Sequence, residues 1–247
     1  MTELVTLAIE GGLARLTLNR PEKLNALAAA SFHAMDRHLD TIEQSEVSCV
    51  LLSGAGRSFC AGHDLNDIAA GGEEGAVKRL ESGVVERLAT LPIPVVAAVR
   101  GHCMTGGLEL VLAADIILAA DTARFADTHA KWDLVPIWGL SQRLPRRVGV
   151  AKAYEMMFAS RTYSGVDAAA MGLVNSCHPE AELDAAAEAM CADILANAPR
   201  ATMAIKRLIQ QTDGMTLAAG VAWELHHTAG RGPDFAARVE RFSRRKG

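Results

Sequence analysis

The amino-acid sequence predicts an α/β protein, and three observations carry that expectation. An alternating hairpin opens the chain, short apolar runs then alternate with stretches of helical periodicity, and the last third turns mostly helical. The chain has 247 residues, half of them apolar, enough to bury a full core in one domain. No Pro/Gly/Ser linker, repeat or low-complexity tract divides it, so the reading is a single domain with a helical C-terminal extension.

Each element has its own signal. "LVTLAIE" and "LARLTLN" alternate apolar and polar residues around Gly11-Gly12, the pattern of a hairpin with a Gly-Gly turn. "RPEKLNALAAASFHAMDRHLDTIEQ" changes to helical spacing, with Leu27, Phe32, Met35 and Leu39 on one face. Residues 47–54 form an apolar run ending in glycine, hence a buried strand, and "PIPVVAAVRG" supplies another after a polar helix near 73–90. "GGLELVLAADIILAA" reads as helix then strand, and "GVAKAYEMMFAS" as a helix. Residues 181–212 read as an Ala-rich helix broken at Pro199, and a final basic helix starts near Pro233.

Composition excludes several function classes. Lys and Arg number 25 against 29 Asp and Glu, a net charge of −4 with no basic excess for nucleic acid. The one basic cluster, "RFSRRKG", reads as a solvated tail with anion binding as its alternative. Cys49, Cys60, Cys103, Cys177 and Cys191 are odd in number and never in CxxC spacing, which points away from disulfides and zinc and toward a reducing cytoplasm. No signal peptide is expected at the acid-containing N-terminus, nor a membrane span in any apolar run. His63 with Asp64, and His102 with Cys103, are poor metal pairs, because neighbours in a strand point to opposite faces.

Two segments, "SFCAGHDLNDI" and "GHCMTGGLELVL", share one design: a strand ends, glycine-containing residues turn, and a helix begins. Glycine lets backbone approach a ligand, and the first N–H groups of a helix lack intrahelical partners, so they suit a developing anion. Neither segment has the spacing of a phosphate loop, a dinucleotide fingerprint or a nucleophile elbow. Glu109 lies three residues beyond Gly106, on the same side of that helix and among Leu108, Leu110, Val111 and Leu112. Burial there is expected to raise its pKa toward the range of a general acid or base; an ordinary ion pair is the alternative.

With these residues in view, the chain resembles the crotonase family, the enoyl-CoA hydratases and isomerases. The resemblance runs through "NRPEKLNAL", "SFCAGHDL", "PVVAAVRGHCMTGGLELVLAADIILAADTARFAD", "GLSQRLPRRVG" and "AAAMGLVN" in order. It implies a superhelix of ββα turns over about residues 1–195, followed by helices over about 196–247 that mediate assembly as a homotrimer or a dimer of trimers. It also implies a coenzyme A thioester as substrate, within fatty-acid metabolism, and no cofactor besides the CoA that the substrate carries.

Carried over by position, the resemblance implies that Ala61 and Gly106 supply the two backbone N–H groups of the oxyanion hole, and that Glu109 is the first catalytic glutamate. The second glutamate of the hydratases lies twenty residues further on, where this chain has His129. A neutral imidazole still accepts a proton from water. His129 is therefore expected either to take part in catalysis or to shape the pocket. Ile137 stands where dienoyl isomerases and dehalogenases carry an aspartate, which disfavours those chemistries. Lys23, Leu24, Ala26, His63, Asp64, Phe242 and Arg245 are the expected substrate and CoA contacts. Hydration of an α,β-unsaturated acyl-CoA is the expected activity; the alternatives are double-bond isomerisation, C–C cleavage and non-catalytic acyl-CoA or protein binding.

Overall fold

The computed structural model describes residues 3–64 and 74–244, and Arg245 lies outside them. Strands β1 (Val5–Glu10) and β2 (Leu13–Leu18) pair antiparallel across Gly11 and Gly12, both at positive φ, as a two-residue primed turn requires. Next come α1 (Ala29–Glu43), β3 (Cys49–Gly54), α2 (Glu74–Thr90) and β4 (Val95–Val99). The following turn is compact: β5 (His102–Met104), α3 (Gly106–Val111), β6 (Ile116–Ala120) and β7 (Arg124–Ala126). Helices α4 (Leu140–Val148) and α5 (Val150–Ala159), strand β8 (Tyr163–Ser164), helix α6 (Gly165–Ala170) and strand β9 (Ser176–His178) complete the layered part. The rest is helical: α7 (Leu183–Leu195), α8 (Pro199–Thr212), α9 (Leu217–His227) and α10 (Phe235–Arg244).

Two sheets result. The larger has the order β1-β2-β3-β4-β6-β9, parallel after its opening hairpin, and the smaller is β5-β7-β8. The chain alternates between them, leaving β4 for β5 and β6 for β7, with α3 between the two pairs. Every residue of β4 is buried, as a parallel strand covered on both faces should be. Helix α7 packs across β3, β4 and β6, and is tied to β2 by a two-pronged bond from Arg15 to Glu188 at 2.7 and 2.8 Å.

The helical periodicity read from residue 20 onward starts too early. The helix begins at Ala29; before it come a short 3-10 turn at Pro21–Lys23 and then Leu24 and Asn25 at φ 51° and 56°. The buried Asn25 side chain holds that path. Its Oδ1 accepts the N–H of Arg20, and its Nδ2 donates to the carbonyls of Ala55 and Ser58. Leu27 therefore lies in an extended bridge with His63, not on the helix.

Candidate active site

Glu109 sits in the first turn of α3, essentially sealed from solvent. Its Oε1 accepts the backbone N–H groups of Trp138 (2.8 Å) and Leu140 (3.3 Å), which converge on it because Gly139 between them adopts φ 100°. Its other oxygen, Oε2, lies 3.5 Å from His129 Nε2. Desolvation pushes the Glu109 carboxyl above its ordinary range, and the two N–H donors and the His129 ring only partly oppose this. The sequence expectation of a buried acid with a raised pKa is met in direction.

His129 opens a short 3-10 turn after β7 and is buried. Its Nδ1 lies 2.6 Å from Asp127 Oδ1, which also accepts the His129 backbone N–H at 3.2 Å. Asp127 is 1% exposed, and among the described residues its second oxygen has no hydrogen-bond partner. A carboxylate, an imidazole and a second carboxylate thus stand in line. The sequence analysis missed Asp127: two residues before His129, it reads as one more loop acid, and only the turn folds it back onto the ring.

The oxyanion expectation is half revised. Gly106 is the first residue of α3, and among the described residues no backbone acceptor is found for its N–H outside the helix. Glycine is required there by space, since a Cβ would meet the Trp138 ring at 2.5 Å. Ala61, by contrast, donates its N–H to the carbonyl of Leu24 at 2.9 Å and cannot present it to a ligand. The backbone nitrogen that faces Gly106 across the turn belongs to His63, 3.3 Å from where a Gly106 Cβ would stand. The turn is laced to the 24–27 segment through Ala61 to Leu24, Leu27 to Gly62 and Asp64 to Leu27, which rotates Ala61 away. Sequence spacing leaves a two-residue uncertainty that only this lacing resolves.

The remaining expected contacts fall in separate places. Lys23 is exposed, and Leu24 and Ala26 are half-buried along the strip beside residues 61–64. Asp64 bonds to Arg20 at 2.9 Å, and Arg20 also donates to the carbonyl of Ala26, so Asp64 clamps the strip to the turn. The His63 ring approaches the buried Glu81 of α2 at 3.4 Å and lies 5.3 Å from the Trp138 ring, centroid to centroid. It therefore lines the interior side of the turn. Phe242 is on an exposed face of α10, and Arg245 is outside the described residues.

Thr105, just before Gly106, adopts φ 48° and ψ −106°, a backbone region β-branched residues avoid. Its N–H donates to Ala126, while its hydroxyl meets that of Thr128 at 2.5 Å and accepts the N–H of Thr128. One side chain thus joins the start of α3 to the turn that carries His129. Among the described residues no group of three or more His, Cys, Asp or Glu is arranged to hold a metal.

The enoyl-CoA hydratase/isomerase family profile matches residues 8–230. The short-chain-enoyl-CoA hydratase of Clostridium acetobutylicum is 34% identical over 227 residues, covering 89% of this chain and 86% of that one. The 1,2-epoxyphenylacetyl-CoA isomerase of Escherichia coli is 31% identical over 251 residues, covering 98% and 96%. A crystal structure of an enoyl-CoA hydratase from Bacillus anthracis superposes with a TM-score of 0.93 at 29% identity, covering 98% of this chain and 96% of that one.

Proposed function

The chain belongs to the enoyl-CoA hydratase/isomerase family and has the crotonase fold, and from that premise we propose that it adds water reversibly across the α,β double bond of an acyl-CoA thioester. The observation that carries this reading is the buried pair of Glu109 and His129, with Nε2 and Oε2 3.5 Å apart, beside the helix start at Gly106. Hydration needs one group to take a proton from water and another to give one to Cα, and this pair provides both.

The thioester oxygen is held by the N–H groups of Gly106 and His63, which stabilise the enolate as it forms. Water oxygen bonds to Cβ while one water proton passes to His129 Nε2. Protonated Glu109, favoured by burial, then delivers its proton to Cα. The imidazolium returns its proton to the Glu109 carboxylate, and one water has been added with both groups restored. No cofactor is needed beyond the CoA of the substrate, whose carrier portion runs along Lys23, Leu24 and Ala26.

The family also includes isomerases, which supports a second reading, in which Glu109 alone moves a proton between carbons. Incubation with crotonyl-CoA and, separately, with a 3-enoyl-CoA tests the two. Formation of 3-hydroxybutyryl-CoA is expected; conversion of the 3-enoyl substrate with no hydration would overturn the hydratase reading.

The assembly is a homotrimer or a dimer of trimers in this reading, supported by the apolar residues that α8, α9 and α10 leave exposed, among them Ile209, Leu217, Leu225 and Phe242. Light scattering of the purified protein reads the mass directly. A reducing, cytoplasmic setting suits its five unbridged cysteines. Among the described residues no helix is long and apolar enough to cross a membrane.

A further inference from the structure

We propose that Asp127 is a positioning residue that makes His129 the water-side base: it holds the Nδ1 proton, turns Nε2 toward Glu109, and supplies the counter-charge for the imidazolium. The inference rests on the hydratase reading above. Its basis is geometric. Asp127 Oδ1 receives both the ring nitrogen at 2.6 Å and the backbone N–H of His129 at 3.2 Å, so two bonds fix the ring to its own backbone.

With Nδ1 protonated, Nε2 carries the lone pair, and Nε2 is the nitrogen that faces Glu109 Oε2 at 3.5 Å. The opposite tautomer would leave two lone pairs, on Nδ1 and Asp127 Oδ1, facing each other at 2.6 Å. Asp127 Oδ2 is buried with no hydrogen-bond partner among the described residues, a costly arrangement for a carboxylate with only a structural task. Beside an imidazole that becomes positive once per turnover, the uncompensated charge has a use: it stabilises the cation that water deprotonation creates.

The other charged groups near the ring do not provide that charge. Glu109 is the proton's destination. Lys131 and Asp133 follow His129 on its own segment and are exposed to solvent, away from the buried ring. Helix α5, which packs against this turn, carries Lys152 and Glu155, bonded to each other at 2.7 Å.

Two substitutions separate the roles. Asp127→Asn keeps an acceptor for Nδ1–H and removes the charge. Hydration is expected to fall about 10-fold in kcat with KM little changed, and the acid limb of kcat against pH is expected to move to lower pH, because the imidazolium has lost its counter-ion. Asp127→Ala removes both acceptor and charge and is expected to lower kcat about 100-fold. Nitrogen-15 NMR of the imidazole reads the tautomer without turnover: an unprotonated Nε2 in the wild type and the Asn variant, and a mixture in the Ala variant.

An unmoved acid limb in Asp127→Asn, or a wild-type tautomer with the lone pair on Nδ1, would overturn the proposal even if the variants lose stability. His129→Ala measured alongside separates the failures. If that variant hydrates normally, the Glu109–His129 reading fails. If it is crippled while both Asp127 variants keep wild-type rate and pH profile, only the role of Asp127 fails.

Discussion

Two acid–base pairs in this molecule look alike on paper, one formed by the buried Lys206 with the half-buried Asp115 and one buried in the candidate site. At the end of the large sheet, Asp115 Oδ2 accepts the Lys206 ammonium at 2.7 Å and the N–H of Val95 at 2.7 Å, while Lys206 also donates to the carbonyl of Ile93. In the candidate site, Glu109 and His129 stand 3.5 Å apart, Glu109 is pushed toward its neutral form by desolvation, and Asp127 behind them keeps one oxygen unbonded among the described residues. The first pair is closed and satisfied, and it splices α8 to the sheet. The second is anchored from behind, by Trp138 and Leu140 on Glu109 and by Asp127 on His129, but leaves Oε2 and Nε2 facing each other at 3.5 Å, the loose arrangement that the proposed proton transfer requires.

The largest break in that comparison is Glu109→Gln. Loss of the transferable proton is expected to lower hydration at least about 100-fold in kcat, with the fold and acyl-CoA binding retained. The amide oxygen still accepts from Trp138 and Leu140, and the amide nitrogen faces the lone pair of His129 Nε2. Steady-state kinetics with crotonyl-CoA, beside a circular dichroism spectrum, checks both halves; near-normal turnover removes Glu109 from the chemistry.

Lys206→Met makes the converse change. It leaves Asp115 and the carbonyl of Ile93 without their buried donor, and is expected to destabilise the fold by about 3 kcal/mol. Turnover per folded molecule should stay at the wild-type level, because nothing in the site touches this residue. Urea denaturation and an active-fraction assay read the two effects. A stable Lys206→Met variant with reduced kcat would erase the distinction between the pairs.

The pair in the site also predicts a pH dependence of stability. The folded state raises the Glu109 pKa above its unfolded value, so folding binds a proton there. Its stabilising contribution is present below the unfolded pKa and is lost as pH rises through the folded one. Glu109→Gln has no such loss. Its melting temperature is therefore expected to exceed the wild type's at neutral pH, with the gap closing as pH falls from the raised folded-state range of Glu109 down to the ordinary carboxylate range of the unfolded chain. A gap that widens on acidification contradicts the burial argument.

Much of this was legible in the residues. The hairpin, the buried β4 and the burial of Glu109 follow from local pattern, because each depends on apolar spacing over several residues. Strands β5, β7, β8 and β9 escaped that reading. They are two or three residues long, too short for any period to register, and they exist because neighbouring backbone pairs with them. The site divides similarly. Glu109 and His129, singled out from motif and spacing, do lie beside each other, and Gly106 opens the helix that carries Glu109, whereas the N–H of Ala61 is taken by Leu24, thirty-seven positions back. Asp127 and Trp138 acquire their meaning from turns that return the chain upon itself, and nothing in their flanking residues announces it.

The smallest effect concerns backbone strain, which the site holds at Thr105. A threonine at φ 48° and ψ −106° is disfavoured by about 1–3 kcal/mol, and here it is held in place by the bonds of its N–H to Ala126 and of its hydroxyl to Thr128. Thr105→Ala removes the hydroxyl and keeps a Cβ in the disfavoured region, so stability is expected to fall by about 1 kcal/mol. Thr105→Gly removes the hydroxyl and relaxes the backbone, so the two changes offset and stability stays near the wild type. The difference between the variants, about 1 kcal/mol by urea denaturation, measures the strain. Both lose the link to the turn that carries His129, so both should lose activity to a similar extent although only one loses stability. Equal stabilities would mean that the surrounding structure imposes no strain at Thr105, and unequal activities would mean that the hydroxyl is not what couples α3 to His129.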